Sequence, residues 1–156
     1  MPKSPVTTII GLTMLSIIFM IILQYSITLT LTYEERIAEK ELKVIANSIV
    51  SQIMDALTLA ENLNENGEVQ VKLEIPEECS LGHYEITLTN QDNTPVIILK
   101  PITRPIPKIT LELLISKRKV SITTTVVYSG AKWNYIKVRN VNGIFHVQLV
   151  HIGGET

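Results

Sequence analysis

The side chains best equipped for chemistry are few in this chain, and their spacing does not gather them. His146 and His151 stand five apart in a stretch that reads as a strand, so they point to opposite faces and cannot share a metal without a bend. His83 lies apart from both, and no Cys-x-x-Cys or His-Glu-x-x-His spacing is present. Glu77 and Glu78 are adjacent in a loop after Pro76, where a solvated acidic turn is the plain reading; catalytic carboxylates need a cleft that separates their pKa values. No serine occupies a Gly-x-Ser-x-Gly elbow, and no Ser, His and Asp are spaced as a triad. Gly153-Gly154 has no helix after it to cradle a phosphate. Trp133, with Tyr128 and Tyr135 nearby, reads as a core or rim aromatic before a sugar platform. These residues predict no catalytic, cofactor-binding or metal site, and a protein that is not an enzyme.

Composition narrows the classes further. The chain has 156 residues, is 46% hydrophobic and carries a net charge of -1. It lacks the basic field that phosphate backbones require, which argues against nucleic acid as a partner. Lone Cys79 cannot close a disulfide within the chain and reads as a small packed thiol. The mean hydropathy of +0.25 is high because the first thirty residues weight it.

Those residues are the element on which the chain is organised. Residues 4–33 contain no charge and are dominated by Ile, Leu, Met and Thr. As a helix this stretch runs roughly 45 Å, beyond the ~20 apolar residues that cross a bilayer core. A lone segment in hydrocarbon must be helical, because only the helix satisfies its own amides. Thr8, Thr13, Ser16, Ser26, Thr28, Thr30 and Thr32 can return hydroxyls to carbonyls one turn back. The block is too long for the core of a cleaved secretory signal and is expected to be retained as an anchor. No Pro or Gly interrupts residues 12–66, so the helix is predicted to continue into an amphipathic stretch. There Leu42, Ile45, Ile49, Ile53, Leu57 and Ala60 form one apolar stripe. Asn and Gly at 64–67 supply a stop. The resulting ~55-residue rod is far beyond the globular mean of about 11–12.

After it the period changes to two. Alternation predicts strands at 69–75, 84–89, 96–99, 109–115, 120–128, 134–139 and 144–152, about seven, with Asn142-Gly143 as a hairpin turn. Three prolines within 100–108 mark an extended crossing between sheet edges. The predicted fold class is α+β: a long N-terminal transmembrane and amphipathic helix followed by an antiparallel β-sandwich-like head. Its parts are a leader and hydrophobic transmembrane or filament-core helix at 1–33, the amphipathic continuation at 34–66, and the head at 67–156. The helix stripe is expected to complete the head's core. Positive charge alone does not orient the span, with Lys3 on one side and Arg36, Lys40 and Lys43 on the other.

The opening MPKSPVTTIIGLTML, followed by a long apolar helix, an amphipathic continuation and a β-rich end, resembles archaeal type IV pilin-like proteins with a class III signal peptide. Lys3-Ser4 is similar to the basic-then-small pair that precedes the prepilin peptidase cut in that family, and Ser4-Pro5-Val6 to the start of such pilins. Residues 75–90 resemble the Pro, Gly, Tyr strand pattern of small pilin heads. The resemblance implies processing around Lys3, Ser4 and Pro5 by a prepilin peptidase. It also implies self-assembly, or assembly with other pilin-like subunits, and a cell-membrane protein with an extracellular head that enters a surface filament. Gly11, Thr13 and Ser16 would permit close helix approach in that interior. A non-polymerising single-pass membrane protein with an extracytoplasmic β domain, such as a stator-like component of the archaeal swimming filament, requires the same hydropathy.

Overall fold

The structure, a computed structural model, describes residues 5–63, 67–92, 94–103, 108–113, 119–131 and 133–151. One helix, α1, runs unbroken over Pro5–Glu61, 57 residues. It ends in two tightened turns, Asn62 N–H to Leu59 C=O and Leu63 N–H to Ala60 C=O. Residues 64–66 of the expected stop lie outside the described residues. The chain divides into two compact units, Met1–Arg36 and Ile37–Thr156. The described residues of the first are helical; the second holds the amphipathic turns of α1 and all the described strands.

Eight strands follow among the described residues: β1 Glu68–Lys72, β2 Tyr84–Gln91, β3 Thr94–Pro101, β4 Ile109–Glu112, β5 Val120–Ile122, β6 Thr125–Tyr128, β7 Asn134–Val141 and β8 Ile144–His151. They form two four-stranded sheets, ordered β1-β7-β8-β5 and β4-β3-β2-β6. The fold is thus α+β, a long helix with a β-rich head. All neighbours are antiparallel except β5 with β8, which run parallel. Hairpin β7–β8 turns at Asn142 (φ 51°) and Gly143 (φ 77°), as the sequence predicts, and the Gly143 N–H donates to Asn140 Oδ1 at 3.1 Å.

The expected strand at 120–128 is instead two, in different sheets. The chain leaves the first sheet at Thr123, whose N–H donates to Val147 C=O at 3.1 Å. Two residues later Thr125 pairs with Leu88 in the other sheet, while its hydroxyl still accepts the Leu149 N–H at 3.0 Å. A threonine hydroxyl thus replaces the carbonyl that β8 loses where its neighbour departs. Three β-branched residues carry no turn signal, which is why alternation alone runs through the switch. The first strand is also shorter than 69–75. Beyond Lys72, the Glu74 backbone pairs with the side-chain amide of Gln52 on α1, accepting and donating at 2.8 Å. Residues 104–107 of the proline-rich crossing, 114–115 of the fourth expected strand and 152 of the last lie outside the described residues.

One core joins helix and sheets. Leu42, Ile49, Ile53, Leu57 and Ala60 are fully buried and Ile45 nearly so, together with Ala38, Ala46 and Ala56. All but Ala38 belong to the cluster that holds Tyr84, Ile86 and Leu99 of one sheet and Ile136, Val138 and Val147 of the other. Polar ties then fix the connection after β1. The Tyr84 hydroxyl donates to Pro76 C=O at 2.6 Å, and burial pushes its pKa up. Ser129 Oγ accepts from Tyr84 N–H at 3.0 Å and donates to Glu77 C=O at 2.7 Å. Glu41 on α1 accepts from both N–H and Oγ of Ser80, at 2.7 and 2.6 Å; these bonds hold its carboxyl below the usual range.

A fragment of residues 34–156 should be soluble, with strand and helix signals by circular dichroism; a coil spectrum would contradict the single core. In that fragment Ile49→Ala should cost roughly 2–5 kcal/mol by chemical denaturation, whereas Val44→Ala, at a position 68% exposed, should change stability by less than about 0.5 kcal/mol. Because the Glu41 pKa is lowered on folding, its contribution is full above the ordinary carboxylate range and is lost as pH falls through the folded value. Glu41→Gln should therefore flatten the acid side of the stability profile.

Candidate functional site

The outstanding surface is the apolar part of α1. Every residue at 8–33 is exposed, including Ile18, Phe19, Met20 and Ile21 at 56–74% of their full areas. The charge-free run over these 26 positions is about 39 Å long, against a bilayer core of about 30 Å. Among the described residues, one helix, near the N-terminus, is thus long and apolar enough to cross a membrane.

Five of the hydroxyls in this stretch are satisfied internally. Thr13 donates to Ile9 C=O at 2.9 Å, Ser16 to Leu12 at 3.0 Å, and Thr28, Thr30 and Thr32 likewise bond one turn back. Such back-bonding leaves mainly methyl and methylene groups to face a non-aqueous surrounding.

The stripe residues Leu42, Ile45, Ile49, Ile53 and Leu57 meet the head's own core. Thr13 and Ser16 are exposed, and a Cβ added at Gly11 would meet nothing within 4 Å. At about 100° per residue, Gly11 lies about 160° from Thr13 and about 140° from Ser16. The three therefore do not share one small-residue seam; Thr13 and Ser16 sit near each other and Gly11 faces away. Pro5 opens α1, a position that tolerates its missing N–H. Lys3 and Ser4 lie outside the described residues.

The side chains with reactive groups remain dispersed. His146 and His151 are exposed near the two ends of β8, and His83 Nε2 is 3.3 Å from Glu78 Oε1 with Nδ1 3.0 Å from Glu77 C=O. No group of three His, Cys, Asp or Glu suited to a metal occurs among the described residues. Cys79 is half-buried, its thiol 3.3 Å from Gly82 C=O. Trp133 is 44% exposed and its ring lies 5.2 Å from Lys72 Nζ, a cation–π contact at the head's rim. Sequence reasoning missed Gln52, Ser80 and Ser129, which fasten the connection after β1; small polar residues have no periodicity that reveals a distant partner. Compared with protein-family models, with curated proteins and with solved structures, the chain matches none.

A charge in the middle of the span tests its surrounding. Ile21→Arg should cost about 2.5–3.5 kcal/mol of insertion and move protein out of the carbonate-resistant membrane fraction. Unchanged retention would mean that this face of the helix meets water.

Proposed function

We propose that the chain is a pilin-like structural subunit of an archaeal type IV pilus or a related surface filament. It is held first in the cell membrane by α1 and then in the filament through the same helix, with the β-rich head displayed outside. The observation that carries this reading is the two-part burial of a single 57-residue helix. Its stripe from Ala38 to Ala60 is consumed by the head, and its residues at 8–33 offer an apolar surface on all sides.

A helix so apolar leaves lipid only if other protein covers it, and copies of itself at the centre of a filament supply that cover. The head would then need no catalytic group; its work is display, for adhesion, motility or secretion. Lys3, Ser4 and Pro5 resemble the site where a prepilin peptidase removes the leader and frees the helix for assembly. The membrane, further copies or other pilin-like subunits, and that peptidase are the partners this reading implies.

In its host, the chain should be recovered in sheared surface filaments, with an N-terminus by mass spectrometry beyond Met1. Recovery only as an uncut membrane protein would favour the non-polymerising single-pass anchor.

A further inference from the structure

Residues 8–33 of α1 hold no charge and one carboxamide, Gln24. Its side chain is exposed, and no hydrogen bond reaches that amide among the described residues. The backbone carbonyl of the same residue, by contrast, accepts the Thr28 hydroxyl at 2.9 Å. With 8–33 centred on a bilayer, Gln24 lies about 5 Å from the midplane and about 10 Å from the nearer edge of the hydrocarbon. Long basic side chains near a helix end can reach the interface; the shorter glutamine at this depth does not. An amide with two donors and one acceptor is strongly disfavoured when left unpaired in hydrocarbon. Gln24 therefore calls for a polar group brought to it by another helix.

The surface around Gln24 suits such a helix. At about 100° per residue, Thr13, Ile17, Met20, Thr28 and Leu31 lie within about 40° of it. Ile17, Met20 and Leu31 are exposed apolar residues, and the hydroxyls of Thr13 and Thr28 are already spent on carbonyls one turn back. Tyr25 and Ser26 point about 100° and about 160° away. The carboxamide is thus the one polar group of this face with bonding capacity left. Met20, Gln24 and Thr28 also make a row four residues apart, the kind of ridge that interlocks where two helices cross at about 50°.

We propose that Gln24 joins α1 to the α1 of a second copy of this chain inside the membrane, each carboxamide donating to the other. Copies of one chain insert with one orientation, so their Gln24 residues stand at the same depth. A carboxamide carries both donor and acceptor, so two of them pair reciprocally; an unrelated helix presents a matching group at that level only by coincidence. The apolar residues alone select no register, because lipid tails are as apolar as they are. The amide pair selects one, as a single polar residue does in a coiled-coil seam. At the crossing angle of this ridge the rods diverge on either side of Gln24, which confines the contact to a few turns. This goes beyond the filament reading and does not need it: a chain that stays an anchor pairs in the same way.

The test uses the full chain, labelled at its C-terminus with a donor or an acceptor fluorophore and reconstituted in phosphatidylcholine vesicles. Energy transfer followed on dilution with lipid reads the association. Gln24→Leu should weaken it about tenfold, and Gln24→Asn, which keeps the carboxamide, should stay within about threefold of the parent. Carbonate resistance checks that both variants remain inserted. In a Cys79→Ser background, Met20→Cys should form a disulfide between copies on oxidation, whereas Ile22→Cys, about 160° further round the helix, should not. Association of Gln24→Leu equal to that of the parent, no association of the parent, or cross-linking at position 22 in place of 20 overturns the pairing. Filaments recovered from cells that express Gln24→Leu leave the filament reading intact whatever the vesicles show. A parent that pairs and never enters filaments counts against that reading alone.

Discussion

One uninterrupted helix carries an apolar surface whose extent around the axis changes along its length. Over residues 8–33 the greasy residues encircle the axis; from Ala38 to Ala60 the buried ones form a stripe, and most other positions are charged, amide or hydroxyl residues, with Val44 and Leu59 exposed. Backbone hydrogen bonding is the same throughout, so the covalent chain gives no reason to stop between the two regimes. What differs is the medium each requires. The stripe is satisfied by two small sheets that would otherwise share a thin core, and the encircling surface needs lipid or protein.

The head shows what the stripe contributes. Each sheet has four strands, and among the described residues three of the eight, β4, β5 and β6, are only three or four residues long. Leu42, Ile49, Ile53 and Leu57 enter the same cluster as the inward residues of both sheets. Alanines at 38, 46, 56 and 60 keep the helix surface low enough for larger partners to seat. The Gln52 amide and the Glu41 carboxylate add direction, taking up backbone groups of the connection that β1 no longer pairs.

Periodicity made much of this legible. The helix, its buried stripe and the β7–β8 hairpin follow from spacing and one Asn-Gly pair. The two-sheet switch did not, because Thr123, Thr124 and Thr125 continue a strand pattern while the hydrogen-bond partner changes from β8 to β2. Gly11 faces away from Thr13 and Ser16, so close approach along one line cannot use all three. Composition identifies residues that permit packing, whereas direction around the axis decides which of them can meet.

The proposed function requires copies of this chain to cover one another's apolar helix. A photoreactive side chain placed at Thr13, in protein expressed in its own host and irradiated in place, reads that surrounding directly. Covalent adducts between copies, mapped to residues of the 8–33 segment, are the expected result. Adducts with lipid alone in every cellular fraction would contradict it.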